Sequence, residues 1–197
     1  MRVCGTMASL AGLEQAMDRQ DPHLIEMALR RMRMMYGVLC SIGGIPLIFM
    51  GEEWGVLNDY SYEYDPDKVD DSRWVHRPQM DWSIIKELKK KRSVHRRIFT
   101  ELQTLFRERK QNAALTGSHM RLLPCDNPHT LSYLRWHDAN QLVVLANFSE
   151  QEQTVSLREL RTEGLAHFLK DVFTGETFST NDQITLKPYD LFWLQED

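Results

Sequence analysis

One long polar segment holds eight acids followed by an arginine, and five of these acids and the arginine are the side chains best suited to chemistry. They are Glu52, Glu53, Asp59, Asp70, Asp71 and Arg73. Carboxylates can serve as nucleophiles or as general acids and bases, and a guanidinium can bind a carboxylate through its planar fork. In a loop, however, acids more often hydrogen-bond or face solvent. The elements around the segment must decide between these roles.

A short apolar run, residues 45–50, leads directly into these acids. It is apolar on both faces, which is typical of a parallel strand buried between helices. The preceding residues 21–44 predict a helix, with Asp21 as N-cap, Pro22 at the first position and two glycines at the end. The following residues 52–82 predict a loop of unusual length, and such loops are functional or disordered. Its tyrosine and tryptophan rings argue against disorder.

The rest of the chain changes character near residue 115. Residues 8–17 predict a short helix and residues 83–111 return to a helical pattern. Beyond residue 118 the apolar residues alternate with period two between polar turns, which predicts an antiparallel β-sandwich. The predicted strands are 129–136, 141–148, 153–157, 166–173, 183–186 and 191–196.

Composition excludes several classes of function. The 197 residues carry a net charge of −4, which argues against a nucleic-acid partner, so we interpret Lys89–Arg92 as a solvated helix face rather than a nucleic-acid patch. The three cysteines are too few for a disulfide framework, and the spacing of Cys and His suggests no metal site. Because no apolar run reaches about 18 residues and no signal peptide is evident, we expect no membrane span and a cytoplasmic location.

Several segments resemble the α-amylase superfamily, glycoside hydrolase family 13. Residues 43–55, GGIPLIFMGEEWG, are similar to its eighth barrel strand, where G-x-P-x-x-[YF]-x-G-[DE]-E is a hallmark. The pattern LNDY…DDSRW.HRP within residues 55–78 resembles the loop after that strand in amylosucrases and related sucrose hydrolases. Residues 2–14 resemble the segment before the seventh barrel helix, and residues 142–157 and 184–195 resemble the C-terminal β-domain.

The resemblance implies a fold and an activity. Residues 1–115 would be the C-terminal part of a (β/α)₈ barrel, including its eighth strand, and residues 116–197 a β-sandwich domain. The parent enzyme would transfer glucose from sucrose to an α-glucan with retention, without a metal or organic cofactor. Its three catalytic acids follow strands four, five and seven, which precede the matched region. Because a whole barrel needs about 250 residues, we expect a C-terminal portion with no catalytic residue of its own, inactive alone.

The resemblance also assigns two substrate-binding residues. Arg73 matches the arginine of DDSRW, which reaches the bottom of the sucrose pocket, pairs with an upstream aspartate and holds the glucosyl ring. A structural salt bridge within the loop is the alternative. Arg2 matches the arginine of R-[IV]-S-G-T, which lines the acceptor side, although Cys4 replaces the usual serine here. His76 and Arg77 lie in the same motif without an assigned role.

Other functions stay open at this point. The chain can be a non-catalytic carbohydrate-binding or interaction module, a structural remnant, or part of a sucrose hydrolase or general α-amylase. The expected partners are sucrose and α-glucan in the intact enzyme, with no nucleic acid and no membrane. An apolar strand at 45–50 without its barrel neighbours is an aggregation hazard. We therefore expect self-association or pairing with a missing N-terminal half.

Overall fold

The computed structural model describes residues 4–158 and 164–196 and contains five α-helices, four 3₁₀-helices and eight strands within those ranges. The α-helices are α1 Met7–Leu10, α2 Leu13–Asp18, α3 Pro22–Ser41, α4 Ile84–Leu88 and α5 Val94–Gln111. The 3₁₀-helices are Glu52–Trp54, Ser61–Tyr64, Ser72–His76 and Ala113–Leu115. The strands are β1 His119–Leu122, β2 Thr130–His137, β3 Asn140–Asn147, β4 Gln153–Ser156, β5 Phe168–Asp171, β6 Thr177–Ser179, β7 Gln183–Leu186 and β8 Leu191–Glu196.

Local capping explains where the helices begin and end. The structure confirms Asp21 as the N-cap of α3. Its Oδ1 accepts hydrogen bonds from the backbone N–H groups of His23 at 2.9 Å and Leu24 at 3.2 Å. The helix predicted at 8–17 is divided into α1 and α2 by Gly12, whose φ is +88°. The helix predicted at 83–111 is also divided. Ser93 starts α5 afresh, because its Oγ accepts from the Arg96 N–H at 3.1 Å.

The buried strand predicted at residues 45–50 is wrong for this structure. The segment forms no strand, and Ile45 and Leu47 are 93% and 85% exposed. Among the residues that the structure describes, none offers a neighbouring strand to it, and none of its amides donates a backbone hydrogen bond. An apolar sequence alone cannot form a strand, because the backbone groups of a strand are satisfied only by a partner.

The chain divides into two compact units. One comprises Met1–Met32 with Leu47–Gln103, and the other comprises Arg33–Pro46 with Thr104–Asp197. The second unit contains all the strands of the predicted sandwich together with stretches from before residue 115. The proposed division into a barrel portion, 1–115, and a sandwich domain, 116–197, stays a prediction.

The second unit is built on two antiparallel sheets, which confirms the predicted sandwich. Six strands pair in the order β1-β2-β3-β8-β5-β6, and β4 pairs with β7 in the second sheet. Apolar side chains of both sheets form one core between them. These are Leu123, Leu134, Val143, Leu145, Val155, Leu157, Leu165, Leu169, Ile184, Leu186 and Leu194.

The six-stranded sheet is also covered on its other face, by the C-terminal half of α3. Gly37 makes the close approach possible, since a Cβ at this position would lie 2.0 Å from Cδ2 of Leu191 on β8. Ser41 and Tyr133 join the two elements through a hydrogen bond of 2.6 Å between their hydroxyl oxygens. The central strand β3 is therefore buried on both faces from Leu142 onward.

Two arginines satisfy the carbonyls at the end of α3. Arg135 is fully buried and donates to the carbonyl oxygens of Ser41, at 3.2 Å, and Gly117. Arg109 donates to the carbonyl oxygens of Cys40 and, at 2.7 Å, Gly44. Burial, and then the nearby charge of Arg109, lowers the pKa of Arg135. Both cations lie where a helix leaves its carbonyls unpaired and its dipole is negative.

A buried carboxylate, Asp171, fixes the turn after β5. Its Oδ1 accepts from the Trp193 N–H at 3.1 Å, and its Oδ2 accepts from the N–H and hydroxyl of Thr174 at 3.0 and 2.9 Å. Burial raises the pKa of Asp171 although these hydrogen bonds favour its charged form. The carboxylate thus serves one donor inside the unit, the Trp193 N–H, and two donors of the exposed Thr174.

Replacing this carboxylate should destabilise the second unit. We expect Asp171→Ala to reduce the free energy of unfolding by about 1–3 kcal/mol, because the Trp193 N–H loses its acceptor in a buried environment and the turn loses its bonds to Thr174. Urea unfolding followed by tryptophan fluorescence measures the change. Asp126→Ala, which alters an exposed acid of the same unit, is the control and should change little. Equal stability of the two variants would contradict the assignment.

Hydrogen exchange should separate the exposed apolar segment from the central strand. The amides of Leu47 and Phe49 should exchange fastest, and those of Val143, Val144 and Leu145 slowest, because β3 is paired with both β2 and β8. Exchange followed by mass spectrometry or NMR gives the order. Strong protection at residues 47–49 in the isolated chain would show that the segment has found a partner strand.

Candidate functional site

The candidate site lies in the first unit, where the start of the chain contacts the long loop. Thr6 donates its backbone N–H to Oδ1 of Asn58 at 2.8 Å, and Asn58 donates its own N–H to Oγ of Ser9 at 2.9 Å. The Met7 N–H donates to Oε1 of Glu52 at 3.2 Å. Thr6 is also the N-cap of α1, with its Oγ1 accepting from the Ser9 N–H. These reciprocal bonds fasten residues 6–9 to the first part of the loop.

The later part of the loop is fastened to the same region. The Asp59 N–H donates to the carbonyl oxygen of Val75 at 2.8 Å, which ties the 3₁₀-helix Ser72–His76 to the earlier loop. The hydroxyl of Tyr60 donates to Oε2 of Glu14 on α2 at 3.3 Å. Val75 is buried. The loop is therefore ordered by specific contacts, as its aromatic content predicts.

Most of the acids in the loop are engaged with backbone amides. Oε2 of Glu53 accepts from the Gly51 N–H at 2.7 Å, and Oδ1 of Asp59 accepts from the Ser61 N–H at 2.9 Å. The hydrogen bonds from Ser61 lower the pKa of Asp59. With Glu52 bound to the Met7 amide and Asp71 to the Arg73 amide, four of the five acids accept backbone hydrogen bonds, while Asp70 is exposed. These hydrogen bonds give the carboxylates of Glu52, Glu53 and Asp59 a structural role in the loop.

Asp71 and Arg73 form the most developed ion pair of the loop. Asp71 accepts from Arg73 Nε at 2.8 Å through Oδ1 and from Arg73 Nη2 at 2.7 Å through Oδ2. Oδ1 also accepts from the Arg73 backbone N–H at 3.0 Å and caps the 3₁₀-helix Ser72–His76. The Arg73 side chain is nevertheless 53% exposed. Its side-chain and backbone hydrogen bonds lower the pKa of Asp71 to about 2, and Asp71 raises the pKa of Arg73.

Aromatic rings and cations surround this pair along the chain. Trp74 lies between two cations, with Lys68 Nζ 5.3 Å and Arg77 Cζ 5.5 Å from its ring centre. The ring of His76 meets Phe49 edge-on, with 6.4 Å between ring centres. The loop thus combines planar rings with charged hydrogen-bond donors, a combination that suits a sugar.

The predicted site residues have different outcomes. The structure places Arg73 on the exposed face of the loop, paired with Asp71 in the way that the structural alternative expects. Its role in a sucrose pocket stays a prediction. Arg2 lies outside the described residues, and its role on the acceptor side also stays a prediction. Sequence reasoning missed Asp71 as the partner of Arg73, although an aspartate two residues before an arginine at a helix start was a usable signal.

The described ranges contain neither a metal site nor a membrane-spanning helix. Within residues 4–158 and 164–196, no group of three or more His, Cys, Asp or Glu side chains could hold a metal ion. None of the helices in those ranges is both long and apolar enough to cross a bilayer.

Comparison with known proteins relates the C-terminal part to amylases. Residues 120–193 match the family model of the maltogenic amylase C-terminal domain. The match comprises β1 to β8 almost completely, so it coincides with the antiparallel sandwich.

Solved structures show the same fold over most of the chain. The crystal structure of AmyP in complex with maltose is 18% identical, with a TM-score of 0.69 over 85% of this chain and 35% of AmyP. The maltogenic amylase from S. marinus is also 18% identical, with a TM-score of 0.53 over 84% of this chain and 19% of that enzyme. This chain therefore spans about a third, or less, of the length of these amylases.

Removing the guanidinium should be visible in the titration of its partner. In Arg73→Gln, we expect the pKa of Asp71 to rise from about 2 toward the ordinary value near 3.9. In the unchanged chain, the pair contributes to stability above the unfolded pKa and loses that contribution as pH falls through about 2. Carbonyl ¹³C NMR against pH measures the shift. Arg77→Gln, a weaker and more distant influence, is the control, and an unchanged Asp71 pKa in Arg73→Gln would contradict the pairing.

Proposed function

We propose that this chain forms the C-terminal part of a carbohydrate-active enzyme of the α-amylase superfamily that uses sucrose as its glucosyl donor. The observation that carries the proposal is the exposed Arg73, held by Asp71 in the ordered loop with the pattern LNDY…DDSRW.HRP. The family match of residues 120–193 supports the wider relationship. The loop pattern supports the finer choice of sucrose.

The proposed reaction transfers glucose to an α-glucan with retention. Two carboxylates about 5–5.5 Å apart are needed, one as nucleophile and one as acid/base, and a covalent glucosyl-enzyme forms between the two steps. Four of the five candidate acids in the loop already accept backbone hydrogen bonds, and in this proposal both carboxylates would come from the remainder of the enzyme. Arg73 would hold the glucosyl ring and pair with an acid of that remainder, and Arg2 would line the acceptor side.

A partner for the exposed apolar segment follows from the same proposal. Leu47, Phe49 and Met50 are 85%, 46% and 61% exposed, in a segment that pairs with no described strand. AmyP is nearly three times as long as its matched part. We infer that this segment pairs with the polypeptide that carries the other barrel strands, in the cytoplasm, and that self-association is the competing outcome.

Hydrolysis of α-glucans is the second candidate function. Two of the similar structures are AmyP with maltose and a maltogenic amylase, and neither name refers to sucrose. A general amylase would use the same sandwich and the same pair of carboxylates. The substrate therefore separates the two candidates.

Kinetics of the chain alone and of a fusion will test the proposal. We expect the isolated chain to release neither glucose nor fructose from sucrose above background. Fused to the polypeptide that its genome encodes directly upstream, it should turn over sucrose. In that fusion Arg73→Lys should lower kcat/KM for sucrose at least about tenfold, because an ammonium lacks the planar fork. Arg77→Lys is the matched control.

The substrates decide between the candidates. Cleavage of maltotriose without turnover of sucrose by the fusion would favour the general amylase. Sucrose or glycogen affinity without any turnover would favour a binding module. Full sucrose activity of the Arg73→Lys fusion would show that Arg73 only forms a salt bridge within the loop. Sucrose turnover by the isolated chain would contradict our assignment of structural roles to its acids.

A further inference from the structure

The Arg73 guanidinium has two edges that can each bind an acid, and only one is occupied by a described residue. Asp71 takes the edge formed by Nε and Nη2, with distances of 2.8 and 2.7 Å. The second edge, formed by Nη1 and the other hydrogen of Nη2, makes no hydrogen bond to a described residue. A guanidinium can bind at both edges at once, because its five N–H donors lie in one plane.

The same carboxylate also fixes the backbone that carries the guanidinium. Oδ1 of Asp71 caps the Arg73 N–H at 3.0 Å, so one side chain restrains both the main chain and the side chain of Arg73. The helix Ser72–His76 is in turn tied down by the Asp59 N–H to Val75 O bond and by the burial of Val75. The free edge therefore has a defined direction before any ligand arrives.

We propose that Asp71 is a positioning residue, which holds Arg73 so that its Nη1–Nη2 edge is free for a carboxylate of the remaining enzyme and for hydroxyls of the glucosyl ring. The inference rests on the proposed function, and it adds a residue to which the family resemblance assigns no role. A restrained two-pronged donor binds an acid or adjacent hydroxyls without first losing rotamer freedom, which is the physical advantage of such an arrangement.

The chain offers a closely matched control in the same loop. Asp65 is built in the same way: its Oδ1 accepts from the Asp67 N–H at 3.0 Å, and its Oδ2 pairs with Lys68 Nζ at 2.5 Å. It therefore combines a backbone cap with an exposed ion pair, but it restrains a lysine rather than an arginine. A purely structural role of such caps predicts the same effect at both positions.

The first measurement is made on the whole chain by itself. In ¹⁵N-arginine-labelled protein, the Arg73 Nε–H should exchange slowly with water, and Asp71→Asn should accelerate that exchange severalfold while its amide oxygen can still cap the Arg73 N–H. Asp65→Asn should leave the Arg73 signal unchanged. Fast exchange in the unchanged chain, or an equal response to both variants, would overturn the positioning role.

The second measurement uses the fusion with the upstream polypeptide. Asp71→Asn should lower kcat/KM for sucrose about 10- to 100-fold, mainly through KM, because a misdirected guanidinium weakens binding of the glucosyl ring. The melting temperature should fall no further than in Asp65→Asn, which removes a comparable exposed ion pair and should keep full activity. Unchanged sucrose kinetics in Asp71→Asn would overturn the proposal. A fusion inactive on sucrose would refute the proposed function instead, and the exchange experiment would still decide whether Asp71 positions Arg73.

Discussion

Pairing of the central strand β3 with β2 on one side and β8 on the other supports the whole second unit. Both edges of β3 have their backbone groups satisfied, and both of its faces are buried, one in the core between the sheets and one beneath α3. Three residues support this arrangement. Gly37 allows α3 to approach the sheet, Arg135 satisfies carbonyls at the end of α3, and Asp171 fixes a turn. The region that matches the family model, residues 120–193, coincides with this paired system.

The first unit obtains its order by a different physical device, short-range capping by aspartates. Asp59, Asp65, Asp71 and Asp81 each accept a hydrogen bond from the backbone N–H two residues later. Such caps are local, and they explain how a loop of some thirty residues keeps a defined shape without strands. Asp71 differs from the others because its second oxygen reaches a guanidinium. The Asp71 carboxylate therefore helps to fix both the backbone of the loop and the direction of the Arg73 side chain.

The two units contribute different kinds of support to the proposed function. The sandwich carries the match to the maltogenic amylase C-terminal domain model but none of the candidate site residues. The loop carries Arg73 and its partner Asp71, and four of its five candidate acids accept backbone hydrogen bonds. In the function that we propose, the carboxylates for catalysis would come from the remainder of an enzyme. The exposed segment with Leu47 and Phe49 has the apolar side chains and the unpaired amides that such a remainder would cover.

The sequence by itself determined features that depend on a few neighbouring residues. Asp21 and Pro22 start α3, and alternation predicted six strands of the sandwich, although β1 and β6 were missed because they are short and exposed. Only the tertiary structure decided the rest. Residues 45–50 have the composition of a strand but form none. Contacts made by Gly55 and by Ser93 shape the elements around these two residues. Asp71, rather than another acid, holds Arg73. The reason is physical: a cap is satisfied within one turn of chain, whereas a strand or an ion pair exists only where the fold supplies its partner.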